Sequence, residues 1–325
     1  MARVQFPLGG NVSFGSRDWI PSVTSQGADL YIVSKDRGSN DNDGKALDTP
    51  VRTIQKAIDL ATDNRLTVIR VEPGEYAEAV NVNKRRIAIV GDSRNAGSTV
   101  IGHDGVTARA SLYVGDGFLN GFALANVSVT TAIAAGTELA RPCVHLVTND
   151  TATTGGAESP DFHFYMENVN FAGDGVAIAG LFLEGATLGV IRTCSFNGLD
   201  LGIVFGGSLS NFPADIEVYN PIFYNNVRAD VASATGNAVG GHPTLMNLAS
   251  IGELSGILFD HPYFMDVGGT PVTNYINVES SSAINVMFSD CRFARDVADG
   301  TLLQLATNIV VLGHSPAGLE SIVAA

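Results

Sequence analysis

The chain has 325 residues, of which 45% are hydrophobic and only 16% charged, where an ordinary soluble protein has about 25% charged, and this excludes intrinsic disorder. Nineteen basic against 33 acidic residues leave a net charge of −14, so neither nucleic acid nor an anionic membrane, both of which demand a basic face, is an expected partner. The 36 glycines exceed the usual share of about 7% without a Gly-X-Y period, which excludes collagen and favours turn-rich β structure.

Residues 1–27 mix polar, Gly and Pro positions around Trp19 and show no sustained period, so they are expected to form an arm. The first ten residues hold no apolar stretch of signal-peptide length, and nowhere do eighteen strongly apolar residues run together. A soluble chain made in a cytoplasm, with no membrane segment, is the expectation. A strand follows over 28–33, then a turn-rich loop over 34–49 crowded with Asn and Asp. Counted back from Gly44, calcium-loop spacing puts Ser39 where the first carboxylate belongs, so Asx turns account for this loop and no metal is expected. Residues 50–63 read as the single amphipathic helix, with Thr49 as N-cap, Pro50 in the first turn and Ile54, Ala57, Ile58 and Ala61 on one face. Beyond it the pattern is strands to the end, with early coils over 67–82, 86–102 and 110–114 and a last coil over 302–312.

A repeat then emerges. Six strand-like segments end on Val129, Phe171, Phe196, Phe223, Phe264 and Phe293, at intervals of 42, 25, 27, 41 and 29 residues. The short intervals suit one coil of a parallel β-helix, and the long ones a coil with an insertion. Aligned on that residue, the position seven back reads Phe122, Phe164, Gly189, Ile216, Ile257, Val286. Five back stand Leu124, Met166, Ile191, Val218, Phe259 and Phe288. Both columns are almost wholly apolar and should point inward. Three back, Asn126, Asn168, Thr193, Asn220, His261 and Asp290 are all polar. They are read as a structural side-chain ladder at a tight bend, beside an interior phenylalanine stack.

The column six back, which alternation turns outward, reads Ala123, Tyr165, Val190, Glu217, Leu258, Met287. An apolar stripe along the outside of a solenoid calls for a cover, so Ala123, Tyr165, Val190, Leu258 and Met287 are the candidate subunit interface, with a parallel homotrimer as the expected assembly. Cys143, Cys194 and Cys291 lack metal-ligand spacing and are expected as core thiols. Cys194 and Cys291, three coils apart, would be separated by roughly 14 Å, too far for a disulfide. No zinc site is encoded by the six scattered histidines. The fold expected is all-β: one right-handed parallel β-helix of about nine to ten coils over 28–325, capped at its N-terminal end by the helix.

Three segments carry a family resemblance: Thr49-Pro50-Val51-Arg52-Thr53-Ile54-Gln55-Lys56-Ala57-Ile58, Val71-Glu72-Pro73-Gly74-Glu75-Tyr76-Ala77-Glu78-Ala79-Val80 and Val90-Gly91-Asp92. From Leu30 to Val129 the chain resembles the opening of the pectin-lyase-like, right-handed parallel β-helix superfamily. Val114-Gly115-Asp116-Gly117-Phe118 adds a similarity to pectin methylesterases. The resemblance implies the fold. It does not extend to the catalytic segments: Asp161-Phe162-His163-Phe164 is like one of them, but Tyr165 stands in place of its glycine, and Arg192 is expected to pair with Glu167 on the neighbouring coil. A glycosidase would need two carboxylates about 5–9.5 Å apart in a groove. Glu184, Asp200, Asp260, Asp266, Asp296 and Asp299 are available, without an aromatic-rich groove. A lyase would want basic residues, yet after Arg86 the chain has no lysine.

No catalytic residue, cofactor site or metal site is therefore assigned. The expected function is that of a non-enzymatic virion structural protein, similar to the β-helix proteins that tailed bacteriophages carry. It would be a trimeric capsid decoration (cement) protein or small spike, attached to capsid or tail proteins through residues 1–27. The alternatives are a tailspike-like polysaccharide depolymerase and a carbohydrate-binding module for cell-surface sugars.

Overall fold

The computed structural model describes residues 28–103, 110–115, 118–131, 142–147, 164–173, 179–207, 213–226, 229–235, 254–265, 274–278, 283–295, 303–305, 309–316 and 318–323. The expected arm over 1–27 lies outside them. Among the described residues the strands form one sheet of 19 segments and a second of 8. Each coil contributes two consecutive segments to the first sheet, separated by a bend, and one to the second. The eight strands of the second sheet mark eight complete turns. Asp29–Val33 begins a further partial turn before them and Ile309–Ser315 another after them. The pairings are parallel until the last, where Gly318–Val323 runs antiparallel to Ile309–Ser315. The molecule is thus a right-handed parallel β-helix, the hand that parallel crossovers take.

The columns set the register. Phe164 faces Phe122 on one side and Gly189 on the other, and Gly189 faces Ile216. Phe171, Phe196, Phe223, Phe264 and Phe293 follow one another on successive coils. Their rings stack with centroids 4.7, 4.9, 5.3 and 5.2 Å apart, and the planes diverge by at most 17°. Coil spacing and ring spacing coincide, so the stack costs no distortion. Each ring withdrawn from water contributes about 2–3 kcal/mol. Phe259 and Phe288 begin a second stack, at 4.6 Å. Gly189 is the small residue among large ones in its column because the Phe164 ring fills its place. A Cβ there would lie 2.0 Å from Phe164 Cζ. All three cysteines are free and buried, and burial raises the Cys194 thiol to about 12.

The helix is shorter than its periodicity suggests. It spans Ile54–Leu60, with Thr53 rather than Thr49 as N-cap, its side chain accepting from Lys56 N. Tertiary pairing overrides the Thr-Pro start signal. Val51 bridges Val33 in parallel and donates to Ile32 O at 2.9 Å, and the Asn40 side chain accepts from Arg52 N and Thr53 N. The segment 50–53 is therefore held extended. Glu78, from the first coil, accepts from Ile54 N at 2.8 Å and Gln55 N at 3.0 Å, so the carboxylate completes the cap. Asx geometry fills the preceding loop: Asp43 accepts from Lys45 N and from the Thr49 hydroxyl. Ile54, Ala57 and Ile58 face the core and close the first coils.

Candidate functional site

Chemistry concentrates on the outer face of the first sheet. Two outward columns run there side by side. One holds Ala123, Tyr165, Val190, Glu217, Leu258 and Met287, the other Ala125, Glu167, Arg192, Tyr219, Asp260 and Ser289. The candidate interface column divides along its length. Ala123, Tyr165 (2% exposed) and Val190 (9%) are buried within the chain, in an outer apolar cluster with Val68, Ala88, Val90 and Ala125 that is separate from the interior core. Leu258 is half-buried and Met287 is 37% exposed.

At the middle of this face the side chains form two Tyr–Glu pairs. The Tyr165 hydroxyl donates to Glu167 at 2.8 Å, and the Tyr219 hydroxyl to Glu217 at 2.8 Å. Burial raises the pKa of both phenols, and the acceptor carboxylates raise them further; Tyr219 reaches about 12. The expected Glu167–Arg192 ion pair is not made, although the two residues are register neighbours. Arg192 lies over the Tyr219 ring, 5.1 Å from its centroid. A planar guanidinium stacks well on an aromatic face, while Glu167 already has the Tyr165 hydroxyl.

The polar column marks a sharp backbone bend. Asn126, Asn168, Thr193, Asn220, His261 and Asp290 all have positive φ, between 47° and 56°. Asn tolerates this left-handed region, whereas β-branched Thr193 is strained there. Backbone N–H groups tie each bend to the next coil, as in Asn126 N to Glu167 O at 3.1 Å and Asn220 N to Asp260 O at 2.8 Å. The Asn168 side chain donates to Asn126 Oδ1 at 2.9 Å. At the far end the chemistry changes. His261 Nδ1 lies 3.0 Å from Asp260 Oδ1, and Nε2 lies 3.5 Å from Asp290 Oδ2. Beyond the bend, the next outward column begins with Ser128, Asn170 and Ser195, joined by side-chain hydrogen bonds of 2.9 and 2.8 Å. It continues with Ile222, 40% exposed, and Tyr263, 38% exposed.

A second cluster lies on the outer face of the second sheet, where Tyr113, His145 and Phe182 are register neighbours. His145 stacks on Phe182 at 4.6 Å, meets Tyr113 edge-on at 5.5 Å, and lies 2.9 Å from Glu184 through Nε2. It is buried, and its environment is that of an aromatic ladder member rather than of an open cleft. Sequence reasoning missed this group because its members come from three separate coils. Among the other carboxylates, Asp260 joins His261, while Asp266, Asp296 and Asp299 lie outside the described residues, as do Asp161, Phe162 and His163. Among the described residues no helix is long and apolar enough to cross a membrane.

The parallel β-helix defines the class of this chain, and solved structures of the same class resemble it. No protein-family model matches the chain, and no curated protein sequence does either. The structure of YbhC from Escherichia coli is 14% identical, with a TM-score of 0.51 over 90% of this chain and 82% of that one. A pectin methylesterase from Aspergillus niger is 11% identical, with a TM-score of 0.50 over 88% and 84%. PemA, a pectin methylesterase from Erwinia chrysanthemi, is 11% identical, with a TM-score of 0.49 over 90% and 84%. The first two likenesses are of fold alone, the right-handed parallel β-helix.

Proposed function

We propose that this chain is a non-enzymatic structural β-helix that associates with further copies of itself, as a trimeric virion component of a tailed bacteriophage attached through residues 1–27. The observation that carries self-association is the apolar character of the outward columns on the last coils. Ile222, Tyr263 and Met287 are exposed there, with Leu258 and Val310 half-buried beside them. Exposed apolar side chains on adjoining coils mark a surface that a soluble chain covers with a partner. A stripe parallel to the solenoid axis suits a cyclic arrangement about that axis, in which every copy presents the same strip. The virion assignment rests on the sequence resemblance and on the low charge of the chain. Mass measurement in solution tests the association. A trimer in the wild type that dissociates in Leu258→Asp supports it, and a wild-type monomer at micromolar concentration overturns it. Detection of the chain in purified virions, and its loss on deleting residues 1–27, tests the attachment.

One observation favours a second reading, a polysaccharide depolymerase: Glu167, Arg192, Tyr219 and Glu217 share one outer face. Reducing ends released from a host polysaccharide, and abolished by Glu217→Gln, would support that reading over the structural one.

A further inference from the structure

We propose that Asp260, His261 and Asp290 form a binding site for a divalent transition-metal cation of the zinc class. Each offers one ligand atom, and these atoms all lie within 4.8 Å of one another. The scaffold beneath them is rigid. Asp260 and His261 are consecutive, Asp290 comes from the bend of the next coil, and the coils are fastened by His261 N donating to Ser289 O at 2.9 Å. Left-handed backbone at His261, φ 53°, and at Asp290, φ 51°, turns both side chains out of the bend toward solvent. Ser289 Oγ donates to Asp260 Oδ1 at 2.8 Å and orients that carboxylate.

The preceding bends show what a purely structural position needs. The Asn168 amide donates to Asn126 Oδ1 at 2.9 Å and to Arg94 O at 2.8 Å, and no charge is required. At the last two bends an imidazole and a carboxylate replace those amides, and a second carboxylate stands alongside. Among the described residues neither aspartate has an arginine or lysine within ion-pair distance; its partner is His261. Two carboxylates this close favour a bound cation. The ligand chemistry selects the kind. Calcium and magnesium take six or more oxygens, whereas one imidazole nitrogen with two carboxylate oxygens suits zinc, cobalt, nickel or manganese, with water completing the coordination.

The inference does not rest on self-association, and its test is separate. The full chain, stripped with a chelator, is titrated calorimetrically with zinc chloride and in parallel with calcium chloride. One zinc per chain is expected, with His261→Asn and Asp290→Asn each weakening it at least about tenfold. Asn is at home in left-handed backbone, so both variants should fold, and a melting curve checks this. His314→Asn, an exposed histidine outside the cluster, should bind as the wild type does. The proposal is overturned if micromolar zinc does not bind, if both variants bind unchanged, or if calcium binds equally well and His261→Asn leaves it intact.

Discussion

The same outward column has opposite fates at its two ends. On the earlier coils Ala123, Tyr165 and Val190 are buried within the chain, and the column beyond the bend is a hydrogen-bonded run of Ser128, Asn170 and Ser195. On the later coils Leu258 and Met287 are accessible, and Ile222 and Tyr263 stand where the serines and asparagine stood. Both regions share the parallel pairing and the left-handed bend residue. The difference lies in what surrounds each side chain: Ala123, Tyr165 and Val190 pack in an outer cluster with Val68, Ala88, Val90 and Ala125, and Leu258 and Met287 are not part of it. An apolar side chain on a solenoid surface is neutral where the chain itself covers it, and becomes a recognition element where it does not.

The largest effect should come from the core that both regions share. Phe223→Ala removes the ring between Phe196 and Phe264 and is expected to cost about 3–5 kcal/mol in chemical denaturation. Loss of a single transition in that experiment would show the two regions to be separate folding units. The comparison itself is tested by a matched pair. Val190→Asp buries a carboxylate and should cost at least about 2 kcal/mol of folding stability. Leu258→Asp in the same column should change it by less than about 0.5 kcal/mol while altering the mass in solution. Equal destabilisation by both would erase the distinction. A smaller effect, of opposite sign, is expected at the bend: Thr193→Asn relieves a β-branched residue at φ 47° and should stabilise by about 0.5–1 kcal/mol. A lower melting temperature would show that the threonine hydroxyl matters more than the strain.

A further small effect lies at the N-terminal end. Hydrogen bonds from the Arg85 side chain hold the Asp63 carboxyl down to about 2. A depressed carboxylate adds stability above its unfolded value and loses it as pH falls through the folded one. Asp63→Asn should therefore cost under about 1 kcal/mol near neutrality, since the pair is largely exposed. Wild type and variant should converge as the pH approaches 2. A difference that persists there would assign the effect to packing.

Much of the fold was legible because a solenoid repeats its constraints. Six coils each need a large apolar residue at the stack and a polar residue at the bend, so Phe171 to Phe293 and Asn126 to Asp290 could be aligned from spacing alone. The helix was less legible. Thr49 and Pro50 carry a helix-start signal, but the bridge of Val51 to Val33 delays the start to Ile54, and that bridge joins separate segments. The Glu167–Arg192 pair failed for a similar reason. Adjacency was read correctly, but the competing partners Tyr165 and Tyr219 decided how each group was used.

Alternation along a strand and the coil repeat are one-dimensional properties, so the β-helix, the alignment of its coils and the direction each column faces can be read from the order of residues. Which outward residues are covered, where the aromatic ladder around His145 assembles, and the convergence of Asp260, His261 and Asp290 are set in three dimensions. These depend on distances between coils some 25 to 40 residues apart, and on competition among neighbours for each polar group. A count along one strand carries neither.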